Sequence, residues 1–463
     1  MSDFANRTFD EIALGTQASA TRVMSVVEIE GLAMVAGDVE RFHLEGDDGP
    51  DRPRAPGAAA VAMVSNLLLR RLPGPGAAIV ETRLHYRGAI AVGDALTATV
   101  EAVAKHADTH TIEFDCKCLN QRGEALVEGR AVVTAPSTRV TYSNVATPEL
   151  ILRRNDGFAK LIARCEGLPP VPCAVVHPCD RDSLMGALEA AKRQMIVPVL
   201  VGPVAKIAAV AQAEGVDLSP WRIVDTEHSH AAAMKAVELA RNGEVEALMK
   251  GSLHTDELMG AVVPAEARMR TDRRISHVFV MDVPTYPRLL LITDAAINIA
   301  PDLETKADIV RNAIDLARVL GVETPHVAIL SAVETVSPKI QSTLDAAALC
   351  KMADRGQIAG GVLDGPLAFD NAVSERAAKA KHIVSPVAGC ADILLMPDLD
   401  AGNMVAKQLQ YLAGADSAGI VLGARVPIVL TSRADTVRTR IASAAVLKLV
   451  AHARRKPAAA SQA

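Results

Sequence analysis

Near the end of the chain the apolar run Val426-Pro427-Ile428-Val429-Leu430 gives way to Thr431-Ser432-Arg433-Ala434-Asp435. A guanidinium there can hold a phosphoryl or carbonyl oxygen with two parallel hydrogen bonds. The neighbouring hydroxyl can donate to a developing oxyanion, and a carboxylate can take a proton. The same residues also suit a strand end whose Ser or Asp caps the next helix. Four more apolar runs end in polar residues: Lys250-Gly251-Ser252-Leu253-His254-Thr255, Ser331, Asp364-Gly365-Pro366, and Asp398-Leu399-Asp400-Ala401-Gly402-Asn403. Parallel sheets bind ligands outside the carboxyl ends of their strands, so five such ends in one half of the chain point to a site there.

The elements that must position these residues follow from periodicity. Beyond residue 150, short apolar runs such as CAVVHP, IVPVLVG, VAIL and VPIVLTS alternate with helical stretches, which predicts an α/β domain with a mostly parallel sheet. Residues 55–72 read as one apolar helix. Residues 79–133 read as long strands broken at Gly93-Asp94 and Arg122-Gly123, an α+β arrangement. The polar, proline-flanked stretch between them reads as a linker. The expected division is 1–136, a linker over 137–149, and 150–463.

The chain has 463 residues, enough for two or three cores, with 50% apolar and 3% aromatic residues. A net charge of −5 and the lack of a basic run exclude an extended nucleic-acid surface. No apolar stretch is long enough to span a bilayer, and MSDFANRTFD lacks the features of a signal peptide, so a cytoplasmic protein is expected. Seven cysteines without a C-x-x-C pair suggest neither disulfides nor zinc, and Cys173, His177 and Cys179 fit no usual ligand spacing, so no metal is expected. The absence of G-x-G-x-x-G after a strand argues against a nicotinamide oxidoreductase.

The second domain resembles the phosphate acetyl/butyryltransferase family over about residues 150–456, through LMKGSLHTDEL, SHVFVMDVPTY, LLITDAAINIAPDLETKADIVRNAI, ILSAVETVSPKI, LDGPLAFDNAVS, DLDAGNMVAKQL and VLTSRAD in order. The pairing of DGPLAFDN with SRAD looks more like the butyryl branch than the acetyl branch. The resemblance implies a two-lobed α/β fold like that of isopropylmalate dehydrogenase. It also implies exchange of an acyl group between coenzyme A and phosphate, with acyl-phosphate as the other product and no cofactor. It places Ser432 and Arg433 at the reacting centre, His254 and Thr255 in a polar loop suited to phosphate, and Ser331, Asn371 and Asn403 around the cleft. Arg270 and Arg274 are candidate phosphate ligands, or exposed salt-bridging arginines. In the acetyl branch a carboxylate base stands seven residues after the serine, where this chain has Thr439. Asp435 is the nearest carboxylate in the motif, either as that base or as a helix cap.

The first domain resembles the MaoC-like hot-dog family, which includes R-specific enoyl-CoA hydratases, through Gly37-Asp38-Val39-Glu40-Arg41-Phe42-His43. Asp38 and His43 would grip one water as acid and base, and Gly57 would offer its amide to a thioester carbonyl. Glu40 and Arg41 stand where the family has Asn and Pro, and Pro56 where a His precedes the glycine. The domain is therefore either a hydratase or a module that binds acyl-CoA or dimerises. Both resemblances imply a homo-oligomer.

Overall fold

The structure, a computed structural model, describes residues 4–25, 28–29, 31–32, 54–55, 57–91, 93–142, 157–430 and 437–455. The chain divides into two compact units, Met1–Leu152 and Arg153–Ala463.

In the first unit the apolar stretch forms the helix Ala58–Arg70, rich in Ala and Leu and ending just ahead of Pro73. It packs on a five-stranded sheet in the order Gln17–Val23, Ala95–His106, Thr111–Leu119, Ala125–Thr134, Ala78–Tyr86. All four pairings are antiparallel. Alternation decides the buried face: Leu96, Ala98, Val100 and Ala102 are fully enclosed and share a core with Val64, Leu67 and Leu68 of the helix. A long helix laid on an antiparallel sheet is the arrangement expected of a hot-dog domain.

Part of the stretch expected as linker belongs to this unit. Thr141–Tyr142 pairs with Phe4–Ala5, and Asn6 Nδ2 donates to the carbonyls of Thr138 (2.9 Å) and Pro75 (3.0 Å). Such pairing uses backbone groups, which leave no trace in side-chain polarity.

The second unit carries an eleven-stranded sheet. Arg222–Asp225, Ile196–Gly202, Val171–Val176, Ala247–Lys250 and Ile428–Val429 form one parallel set. Leu290–Thr293, Ile393–Leu395, His326–Leu330 and Val362–Leu367 form another. Between them Asp416–Leu422 and Ser276–Asp282 are antiparallel to each other and to both flanking strands. Helices cover both faces: Cys173 and Val175 join one core cluster, and Ala174 and Val176 the other. Among the described residues no helix is long and apolar enough to cross a membrane.

Three antiparallel junctions reverse direction three times, so the two parallel sets run opposite ways. The five polar strand ends expected to point to a site therefore fall at more than one edge of the sheet. Lys250 and the strand leading to Ser432 end at one edge, whereas Ser331 and Asp398–Asn403 follow strands that end at the other, and Gly365-Pro366 lies inside a strand.

Candidate active site

The first edge is built from three neighbouring parallel strands. Val171–Val176 leads into His177, whose backbone takes the left-handed conformation with φ 54°. Ala247–Lys250 leads into Gly251-Ser252. A Cβ on Gly251 would lie 2.4 Å from the Val176 carbonyl, so only glycine lets the two strand ends close together. Ser252 Oγ donates to the His177 carbonyl (2.9 Å), accepts from the Cys179 amide (3.2 Å), and lies 3.2 Å from His177 Nδ1. Burial, then the Lys206 cation, holds the His177 imidazole below its usual pKa, and burial pushes the Cys179 thiol up to about 11. The third strand, Ile428–Val429, leads to Ser432, Arg433 and Asp435, which lie outside the described residues, as do Asp38 and His43.

His254 is the N-cap of the helix Thr255–Val262, and its amide donates to Glu257 Oε1 at 3.2 Å. Glu257 also accepts from Ser229 Oγ and lies 3.3 Å from His230 Nδ1, and the Ser229 hydroxyl foremost holds its pKa low. An acid of the chain therefore already answers the positive end of this helix, which weakens the expectation that His254 and Thr255 receive phosphate there.

At the opposite edge Asp294 organises a loop. Its carboxylate accepts from the amides of His277 (3.3 Å), Ala296 (2.9 Å), Ile297 (3.0 Å) and Asn298 (3.2 Å), and from Asn298 Nδ2 (2.6 Å). Asn403 Nδ2 donates to the Ala295 carbonyl (3.1 Å), so this expected cleft residue fastens the loop. Beside it lies a groove of about 350 Å³ lined by Arg270, Arg273, Arg274, Asn298, Glu304 and Asp308. Arg270 Nε donates to the Val263 carbonyl, just past the end of the Thr255–Val262 helix. The groove thus brings the two expected phosphate ligands, Arg270 and Arg274, together with a third arginine.

Ser331 and Asn371 are further out. Ser331 Oγ lies 2.8 Å from Ser342 Oγ. Asn371, expected on the cleft wall, is fully buried: its Nδ2 donates to Glu334, and its backbone carbonyl accepts from the Gly389 amide. It braces this edge of the sheet. In the first unit Gly57 is the N-cap of its helix, and a Cβ there would lie 2.5 Å from Tyr86 Cε1, so the aromatic ring covers this position.

A sequence profile described as "Phosphate acetyl/butaryl transferase" matches residues 228–448. A phosphate acetyltransferase from Rhizobium meliloti is 63% identical over 298 residues, 64% of this chain and 94% of that protein. The chain belongs to this family. The transferase is also 41% identical over 294 residues to a phosphate butyryltransferase from Clostridium acetobutylicum, covering 64% of this chain and 98% of that one. The expected leaning to the butyryl branch is thus not matched by overall identity, which is higher to the acetyltransferase. A branched-chain phosphotransacylase from Enterococcus faecalis V583 superposes with a TM-score of 0.54 at 29% identity, over 61% of this chain and 99% of that one. The protein is an acyltransferase with the phosphotransacylase fold in its second unit.

Sequence reasoning missed Asp294 and Asn298 of the transferase as organisers of its loop, although Asp294 ends the apolar run LLIT and the strand-end rule applies to it. It weighed His177 only as a metal ligand with Cys173 and Cys179. Cys173 is fully buried within the strand. The usable signal was Ser252, one residue past Gly251 on the adjoining strand end.

Proposed function

We propose that the second unit moves an acyl group between coenzyme A and inorganic phosphate, with acetyl as the preferred acyl group. The strongest single support is 63% identity over 94% of a phosphate acetyltransferase. Arg433 holds the phosphoryl or carbonyl oxygen with its planar fork, and Ser432 donates to the oxyanion that forms as the carbonyl is attacked. Arg270 and Arg274, on one groove with Asn298, take the anionic groups of coenzyme A or phosphate. Asp435 is the carboxylate nearest to this pair in sequence. Coenzyme A acts as substrate and no cofactor is invoked. The protein works in the cytoplasm as a homo-oligomer. A panel of acetyl-, propionyl- and butyryl-CoA, each with and without phosphate, tests the reading. Phosphate-dependent release of coenzyme A that is fastest with acetyl-CoA is expected, and faster release from butyryl-CoA overturns the acyl preference.

For the first unit the reading is an enoyl-CoA hydratase in which Asp38 and His43 hold the water and the Gly57 amide polarises the thioester. The fold supports it, because Gly57 lies at the start of the central helix, where its amide faces no intrahelical acceptor. Hydration of crotonyl-CoA by the whole protein, lost in Asp38→Asn, is expected. If wild type leaves crotonyl-CoA unchanged, the unit is a binding or dimerisation module.

A further inference from the structure

A second cavity, of about 870 Å³, shares the turn Thr271-Asp272-Arg273 with the groove that holds Arg270 and Arg274. Its other walls come from the last turns of two helices, Leu303–Val319 and Val437–Arg455, and from Gly423-Ala424-Arg425, which follows the strand Asp416–Leu422. Leu316, Val319, Leu422 and Val450 make part of the lining apolar. Arg273, Arg318, Arg425 and Arg454 line it against two carboxylates, Asp272 and Asp315, which leaves two positive charges over. Arg273 Nη1 lies 2.5 Å from Asp315 Oδ2. Among the described residues, Arg318, Arg425 and Arg454 have no carboxylate partner.

Backbone groups hold these cations without neutralising them. Arg454 Nη1 donates to the carbonyls of Ala424 (3.1 Å) and Arg425 (3.2 Å), and Arg425 Nη1 to the carbonyl of Arg268 (3.3 Å). A guanidinium has five N–H donors, so both side chains keep donors to spare. Arg318 and Arg454 stand in the last turns of their helices, where the carbonyl ends favour a cation. Arg425 follows a strand, so that explanation does not reach it. Surrounding protein strips water from the Arg454 guanidinium and lowers its pKa, with Asp315 opposing only in part, and an anion beside it would offset that cost. The wall that carries Arg425 is fixed to the segment that carries Arg270. Arg270 and Ala424 form an antiparallel bridge, the Arg425 amide donates to the Met269 carbonyl (2.8 Å), and Thr271 Oγ1 donates to the Gly423 carbonyl (2.7 Å). A Cβ on Gly423, at φ 81°, would clash with the Arg274 carbonyl oxygen, so only glycine allows this approach.

We propose that this cavity is a second ligand site, which binds an organic phosphate by Arg425 and Arg454 and seats its apolar body on Leu316, Val319, Leu422 and Val450. A phosphate dianion matches the surplus of two charges, and the planar fork of arginine suits its oxygens. The pre-fixed wall keeps the ordering cost of binding low. Because the cavity and the groove share the Thr271–Arg273 turn, a ligand here changes the affinity of the groove for coenzyme A. That consequence rests on the acyl-transfer reading above, whereas the site itself does not.

The test is calorimetric titration of the full chain with phenyl phosphate and, separately, with inorganic phosphate. Phenyl phosphate is expected to bind at least about tenfold more tightly, since only it has an apolar body to bury. Arg425→Ala with Arg454→Met is expected to weaken phenyl phosphate at least about tenfold, and Arg425→Ala alone about fivefold, at unchanged unfolding temperature. Arg270→Ala, in the neighbouring groove, is expected to leave that affinity within about twofold. Equal affinity for the two phosphates overturns the ligand class. A double variant that binds like wild type, or an Arg270→Ala variant that loses binding, overturns the site. In the conversion of acetyl-CoA and phosphate, phenyl phosphate is expected to shift the KM for acetyl-CoA at least about twofold in wild type and not in the double variant, whose rate without phenyl phosphate stays within about twofold. An unchanged wild-type KM overturns the coupling. A wild type without transferase activity overturns the acyl-transfer reading, and calorimetry still decides the site.

Discussion

His277 lies on Ser276–Asp282 with its side chain fully buried and neither ring nitrogen hydrogen-bonded to a described residue. Burial pushes its pKa down to about 4, against the opposing pull of Asp294. The folded group stays neutral while the unfolded one protonates near 6.5, so the unfolded state binds more protons between these values. Stability therefore falls as pH drops from 6.5 to 4, by about 3 kcal/mol at the lower end. Urea melts across that window should show the loss, and His277→Phe, which cannot protonate, should flatten the slope. A second prediction concerns Gly251, where a Cβ would meet the Val176 and His177 carbonyls at 2.4 and 2.6 Å. Both are backbone atoms that cannot swing aside, so Gly251→Ala should cost about 1–3 kcal/mol in the same melts and displace Ser252 from His177.

At the scale of elements, two helices of the second unit are tied by a buried ion pair. Lys306 Nζ on Leu303–Val319 lies 2.6 Å from Asp345 Oδ2 on Gln341–Asp354, with both side chains under a tenth exposed, and Gln341 Nε2 donates to the other carboxylate oxygen. Lys306→Met strands the acid and should cost about 3–5 kcal/mol in chemical denaturation, and adding Asp345→Leu should recover most of it. The flanking strands were legible in the sequence because apolar runs such as CAVV and IVPVLVG fill positions buried on both faces. Their parallel pairing followed from the helices between them, but the opposite sense of the two parallel sets did not, since a run buried on both faces looks the same in parallel and antiparallel pairings. The strands read from the sequence omitted Ser276–Asp282, Leu290–Thr293 and Asp416–Leu422, three of the four strands that make the antiparallel junctions. Without them, nothing in the sequence separated the five polar strand ends into two edges. The chemistry of Arg270 and Arg274 was visible in residue type, but their meeting with Asn298 in one groove depends on the loop that Asp294 ties.

The whole molecule carries separate cores. Phe114 belongs to the core of the first unit, and Ile420 to the larger core of the second. Calorimetry should resolve two transitions, with Phe114→Ala, a loss of about 3–5 kcal/mol, lowering only one. Acyl transfer by this chain is proposed to run through Arg433. Its most direct test is phosphate-dependent release of coenzyme A from acetyl-CoA by the full chain and by Arg433→Ala, with thermal unfolding of both as the control for folding. An active wild type and a variant slowed at least about 100-fold at unchanged unfolding temperature are expected. Equal rates in the two proteins would contradict it.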